Sequence, residues 1–179
     1  MLPIWITTLP KIKNWSYHYN DLVSQFNLNL DNDFLKKGNN FSINDVHGVW
    51  DRLYQNFFDK AQQFFGEIKL LEKNSRTVWC YATNENFYRG GIHDHKKTSV
   101  INAVYYFSVP DTRDYRDGAI AFYDNDDREI WCYKPRECDL VIFPSYLKHQ
   151  PLPITSKMYR LALNMEIICE PFGLFNYEK

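Results

Sequence analysis

"YRGGIHDHKKTSVINAVYYF", Tyr88 to Phe107, places two histidines one residue apart between a Gly-Gly pair and a run of aromatic and β-branched residues. Residues two apart on an extended chain point to the same side, so His93 and His95 share a face while Asp94 points away. The pair is either a turn with solvated imidazoles or two ligands of a metal site completed elsewhere. The run that follows, "NAVYYFSV", is a strand by composition.

Outward from this strand the C-terminal part of the chain keeps the same character. "RTVWCYAT", "GAIAFYD", "EIWCYK", "CDLVIFP" and "YRLALNMEII" are further strands. "NSR", "PDTRDYRDG", "NDD" and "PRE" between them are turn compositions. The loop "DTRDYRDG", with two arginines and three aspartates, reads most simply as a solvated hairpin tip, with a place on a pocket rim as the alternative.

N-terminal to Arg76 the period changes from two to three and four. In "INDVHGVWDRLYQNFFDKAQQFFGEIKLL", Val46, Trp50, Leu53, Phe57, Ala61, Phe64, Phe65 and Ile68 form one apolar helical face, with Ser42 and Asp45 as a capping box. An earlier helix covers "NDLVSQFNL". His18 and His47 read as surface or packing residues. The expectation is one domain over 1–179, with residues 1–75 a mainly helical buttress and 76–170 a β-rich core. An α+β fold follows, an antiparallel jelly roll or cupin-like barrel that holds ligands between its sheets.

Composition narrows the class. The chain has 179 residues, 45% hydrophobic, 17% aromatic and 24% charged, with a formal charge of −1. That length supports one sizeable core, and the balanced charge offers no footprint for nucleic acid or an anionic membrane. "MLPIWITTLPKIKNW" has neither the apolar run of a signal peptide nor a membrane span. Cys80, Cys132, Cys138 and Cys169 form no CxxC pair and read as small buried hydrophobes in a reducing compartment, which predicts a cytoplasmic protein.

Two imidazoles need at least one more ligand to grip a transition metal and leave sites open. His149, in "CDLVIFPSYLKHQPLP", is the one histidine left in the strand-rich half, and it is expected where the Leu140–Phe143 strand has ended at Pro144. Arg160 opens the apolar strand "YRLALNMEI". A cation there must find an anion or face water: a core salt bridge to Glu166 or Asp139, or the carboxylate of a small organic acid.

In order and spacing, "HxH…VYYF…G-x-I-x-F…P-x-x-x-D-L-V-I-F-P-S…H…P…R", from Thr77 to Ile168, resembles the iron(II)- and 2-oxoglutarate-dependent oxygenases. The likeness is strongest to prolyl-hydroxylase-like enzymes and small phage-type single-domain members. The resemblance implies a double-stranded β-helix core flanked by N-terminal helices. It implies Fe(II), O2 and 2-oxoglutarate as co-substrate, with hydroxylation of a primary substrate and release of succinate and CO2. By that resemblance His93 and His149 are iron ligands, and Arg160 and Tyr106 hold the far carboxylate of 2-oxoglutarate. Asn102, on the Tyr106 side of its strand, is a polar contact to the same molecule or a satisfied polar group near a strand end.

The chain departs from the family pattern at His95, where Asp or Glu is usual. Three neutral imidazoles leave an ion one positive charge higher than two imidazoles and a carboxylate. Asp94 completes the site instead if the backbone twists after Gly90-Gly91. Two rival readings use the same residues: a cupin-like three-histidine dioxygenase that does not use 2-oxoglutarate, and a non-catalytic binding module on the same scaffold.

Overall fold

The computed structural model describes residues 2–30, 40–43, 48–74 and 76–173. In chain order these form β1 (Trp5–Thr8), α1 (Trp15–Leu30), β2 (Asn40–Ser42), α2 (Val49–Phe65), β3 (Val78–Thr83), β4 (Ile101–Ser108), β5 (Ile120–Tyr123), β6 (Glu129–Tyr133), β7 (Asp139–Pro144), β8 (Lys148–Pro151) and β9 (Arg160–Ile167). A six-stranded antiparallel sheet runs β1-β7-β4-β9-β3-β2, and a three-stranded one runs β6-β5-β8. The α+β jelly-roll expectation holds.

Period-2 alternation gives the large sheet two different faces. Ile101, Ala103, Tyr105 and Phe107 of β4, with Leu161, Leu163, Met165 and Ile167 of β9, point outward onto the helices. Val104, Tyr106 and Ala162 point inward with Tyr81, Val141 and Phe143, and meet Ile120 and Phe122 of the small sheet. Both faces are covered, so every residue of β4 is buried. Near-continuous burial explains why these strands read as unbroken apolar runs.

The helices seal the outer face. Along α2, Trp50, Leu53, Phe57 and Ala61 are buried at helical spacing, as expected, and Tyr54 is buried with them. Its start differs. Gly48, in the left-handed region at φ 63°, precedes the helix, and no side chain caps it. Ser42 is instead in β2, opposite Trp79, so the capping box is not used; Asp45, Val46 and His47 lie outside the described residues. The end is set by Gly66, whose N–H donates to the Gln62 carbonyl at 2.9 Å. Ile68, expected in the helix, is buried just beyond it, while Phe64 is exposed. Helix α1 starts five residues before the expected "NDLVSQFNL". Its Trp15 stacks on Phe107 at 5.5 Å and donates its indole N–H to the Phe107 carbonyl. His18 is a packing residue, buried edge-on against Trp50.

Three strands had no counterpart in the sequence reading. β1 and β2 come from the N-terminal part and pair with β7 and β3, so that part supplies sheet as well as helix. β8, "KHQP", has no β-branched residue and forms because β5 offers it a partner strand. The four cysteines are free thiols, three of them buried. No helix among the described residues is long and apolar enough to cross a membrane.

Candidate metal centre

The segment after Gly90-Gly91 reaches the small sheet and pairs with it. His93 donates its backbone N–H to the His149 carbonyl at 3.1 Å, and His149 returns the bond at 2.9 Å. Two residues on, the N–H of His95 donates to the Ser145 carbonyl at 2.8 Å. Gly90 permits this approach, since a Cβ there would sit 2.6 Å from the Tyr88 hydroxyl and 3.0 Å from the Pro151 carbonyl. His149 lies within β8, opposite Phe122, rather than at the edge of the preceding strand.

These backbone bonds bring three rings together, with centroids 4.4 Å apart for His93 and His149, 5.1 Å for His93 and His95, and 5.3 Å for His95 and His149. One ring nitrogen of each lies within 4.8 Å of the others. The opposite edges decide which nitrogen that is. Nδ1 of His93 is 2.8 Å from the Gly91 carbonyl, Nδ1 of His149 is 3.1 Å from the Leu147 carbonyl, and Nδ1 of His95 is 2.8 Å from Oε1 of Glu166. Carbonyls and carboxylates only accept, so each Nδ1 carries the proton and each Nε2 presents a lone pair. Such partners orient metal-binding imidazoles and raise their basicity. Asp94 faces away, accepting from the Lys96 N–H at 3.3 Å with the Lys96 ammonium 3.4 Å off.

Burial, and then the other two rings, holds the His149 pKa well below the usual histidine value. His93 keeps an exposed edge, yet desolvation of its ring still lowers its pKa, against the Gly91 hydrogen bond that raises it. Both shifts favour the neutral imidazole at His93 and His149, the form that binds metal.

Behind the histidines lies a cavity of about 250 Å³, whose lining includes Tyr81, Tyr106 and Arg160 together with all three rings. Arg160 is 1% exposed. Its Nε donates to the Thr83 hydroxyl at 3.1 Å and its Nη1 to the Gly118 carbonyl. Its Nη2 is buried without a partner. The salt bridges weighed from the sequence do not form: Glu166 faces His95, and Asp139 accepts from Tyr133, Thr8 and the Arg136 N–H. A guanidinium keeps its charge, and a buried cation without an anion costs several kcal/mol (about the penalty of an unpaired ion). An orphaned guanidinium N–H on a residue that lines the cavity is a place for a carboxylate.

Tyr106 is buried on the same wall, its phenol pKa raised chiefly by burial while the Arg160 charge opposes the rise. Tyr81, which the sequence reading passed over, hydrogen-bonds the Arg89 carbonyl, and burial pushes its pKa up to about 12. Asn102 shares the inward face but is not among the residues lining the cavity. Its side-chain oxygen accepts from Ser99 at 2.7 Å and Ser145 at 3.3 Å, and its Nδ2 has no partner. Glu166 behind His95 was also passed over as part of the metal site. Its place on the Arg160 side of β9, at even spacing, was the available signal.

Residues 77–166, half of the chain, match the family described as "Putative 2OG-Fe(II) oxygenase". The chain belongs to the 2OG-Fe(II) oxygenase family. All six candidate residues of this chain fall inside the matched segment. Its fold is similar to that of a prolyl 4-hydroxylase from Phytophthora capsici, with a TM-score of 0.64 at 12% identity. That likeness covers 94% of this chain and 59% of the other, so the chain spans under two thirds of that relative. A Pseudomonas putida prolyl-4-hydroxylase aligns over 94% of both chains, with a TM-score of 0.58 at 16% identity. A prolyl hydroxylase from Trichoplax adhaerens, solved with a hypoxia inducible factor peptide fragment, aligns over 94% of this chain and 84% of its own, with a TM-score of 0.55 at 16% identity. At these identities the likeness is one of fold. No curated protein matches the sequence.

Proposed function

We propose that this chain is an Fe(II)/2-oxoglutarate-dependent dioxygenase of the hydroxylase type, with His93, His95 and His149 as the iron ligands. The observation that carries the reading is the unpartnered Nη2 of Arg160, buried in the wall of the cavity that the three histidines also line. The donor set suits the ion, since three neutral imidazoles leave coordination positions open for a chelating co-substrate and O2. When bound, Fe(II) supplies the redox chemistry by which O2 converts 2-oxoglutarate to succinate and CO2 and a substrate C–H bond to C–OH.

The protein's part is binding, orientation and exclusion of water. Arg160 donates Nη2 to the distal carboxylate of 2-oxoglutarate, its other nitrogens being held by Thr83 and Gly118. Tyr106 offers a phenol that burial keeps protonated, and therefore a hydrogen-bond donor. Glu166 supplies, one hydrogen bond removed, the negative charge that a carboxylate ligand would have brought. Asn102 braces Ser99 and Ser145 behind His95, whose N–H binds the Ser145 carbonyl. The chain acts as one domain over 1–179, since α1, α2 and the large sheet share one core. Its four free thiols support a cytoplasmic setting.

The test is to incubate anaerobically iron-loaded protein with 2-oxoglutarate, admit O2, and follow succinate. Slow uncoupled succinate release without the primary substrate is expected. The three-histidine dioxygenase that does without 2-oxoglutarate shares the imidazoles but gives Arg160 an anion only if its own substrate carries a carboxylate. Calorimetry separates the two, because only the proposed enzyme binds 2-oxoglutarate at this site.

A further inference from the structure

We propose that Lys134 is a positioning residue for the co-substrate site. Its ammonium organises the 112–118 loop and so holds the Gly118 carbonyl against Arg160. The inference rests on the reading of Arg160 as the carboxylate clamp. Lys134 directly follows β6. Its Nζ donates to the carbonyls of Thr112 at 3.4 Å, Asp114 at 2.8 Å and Asp117 at 2.7 Å, and to the Thr112 hydroxyl. An ammonium has three protons and no acceptor. Here it is enclosed by four oxygens, none of them a carboxylate. The segment "DTRDYRDG" is exposed over most of its length, as expected of a solvated tip, but it joins β4 to a strand of the other sheet and is gathered around a cation.

The next carbonyl along the chain reaches the site. After Asp117, whose carbonyl takes Lys134, comes Gly118, whose carbonyl takes Nη1 of Arg160. Gly118 has φ 73°, in the left-handed region that favours glycine, and its N–H is held by the Pro153 carbonyl at 2.6 Å. The Asp117 carboxylate accepts the Thr155 N–H at 2.8 Å. Consecutive carbonyls thus bind two cations, one structural and one functional. With Nη1 spent on Gly118 and Nε on Thr83, the guanidinium is fixed in the cavity wall and Nη2 is its one unpartnered nitrogen. Without Lys134 the carbonyls of 112, 114 and 117 lose that donor, Gly118 is held only by the Pro153 and Asp117–Thr155 bonds, and its grip on Arg160 loosens. The histidines are held by other bonds, between His93 and His149 and from His95 to Ser145, so metal binding is independent of the loop.

The experiment is titration calorimetry of metal-loaded Lys134→Met with 2-oxoglutarate, alongside metal affinity and steady-state succinate formation. The expected result is roughly tenfold weaker 2-oxoglutarate binding, about 1.4 kcal/mol. KM for 2-oxoglutarate should rise in step, with kcat at saturation and metal affinity unchanged. Wild-type 2-oxoglutarate affinity, or a parallel loss of metal affinity, overturns the proposal. Should the methionine variant not fold, Thr112→Val, which removes one oxygen around the ammonium, is expected to weaken 2-oxoglutarate binding two- to fivefold, and unchanged affinity there overturns it equally. Undiminished 2-oxoglutarate binding in Arg160→Met would instead sink the clamp reading itself, so the two failures are distinct.

Discussion

Replacing Arg160 by methionine keeps the length of the side chain and deletes the charge. Two of its three nitrogens are committed to Thr83 and Gly118, so a bound carboxylate receives only Nη2 together with the full positive charge. Truncating one partner of a buried, hydrogen-bonded charge pair costs about 2–5 kcal/mol. With a single donor arm available, about 3 kcal/mol is appropriate, which is roughly a hundredfold in Kd. Stability should move less. The Gly118 carbonyl loses its donor, costing about 1–3 kcal/mol, while removal of a buried unpaired cation offsets much of that. The assay is calorimetry of 2-oxoglutarate on metal-loaded wild type and Arg160→Met, with thermal melts as the fold control. A 2-oxoglutarate concentration of 100 times the wild-type Kd should stabilise wild type by about 2.7 kcal/mol and the variant by only about 0.4 kcal/mol. A folded Arg160→Met that binds 2-oxoglutarate within threefold of wild type would refute the assignment of the orphaned nitrogen to a carboxylate.

Three further outcomes follow from the geometry. Glu166→Leu removes the Nδ1 partner of His95 and should weaken divalent metal binding about 10–100-fold; equal affinities in a chelator competition would show that this carboxylate does not support the centre. In metal-free protein the His149 pKa lies below its unfolded value of about 6.5. Between those two values the unfolded state binds more protons, so the stability that His149 contributes is full above about pH 6.5 and falls as the pH drops below it. Urea melts of chelator-treated wild type and His149→Gln at pH 7.5 and 5.5 should show the steeper fall in wild type, and parallel curves would contradict this. Phe57→Ala empties a fully buried site in α2 beside Tyr54 and should cost about 3–5 kcal/mol; a loss under 1 kcal/mol, or a biphasic melt, would mean that the helices are not one cooperative unit with the sheet.

Much of this molecule is legible in residue order because it is written in periods. Strand parity already put Asn102 on the Tyr106 side of β4, and the spacing of Trp50, Leu53, Phe57 and Ala61 marked the covering face of α2. The HxH pair and the later His149 also stood out, since two-residue spacing on an extended chain puts both imidazoles on one side. Those features depend on chemistry repeated every two or every three to four residues, which a linear reading detects. Other features belong to tertiary structure alone. β8 is short and poor in strand formers, and β1 is only four residues long; both exist because a neighbour offers backbone partners. Which nitrogen each histidine presents was settled by Gly91, Leu147 and Glu166, the last lying 71 positions from His95. That Arg160 lacks an anion, and that Lys134 gathers the loop beside it, depends on which carbonyls and carboxylates reach each cation in space. Hydrogen bonds act over about 3 Å, and no periodicity in the sequence records which distant groups the folded backbone brings within that distance.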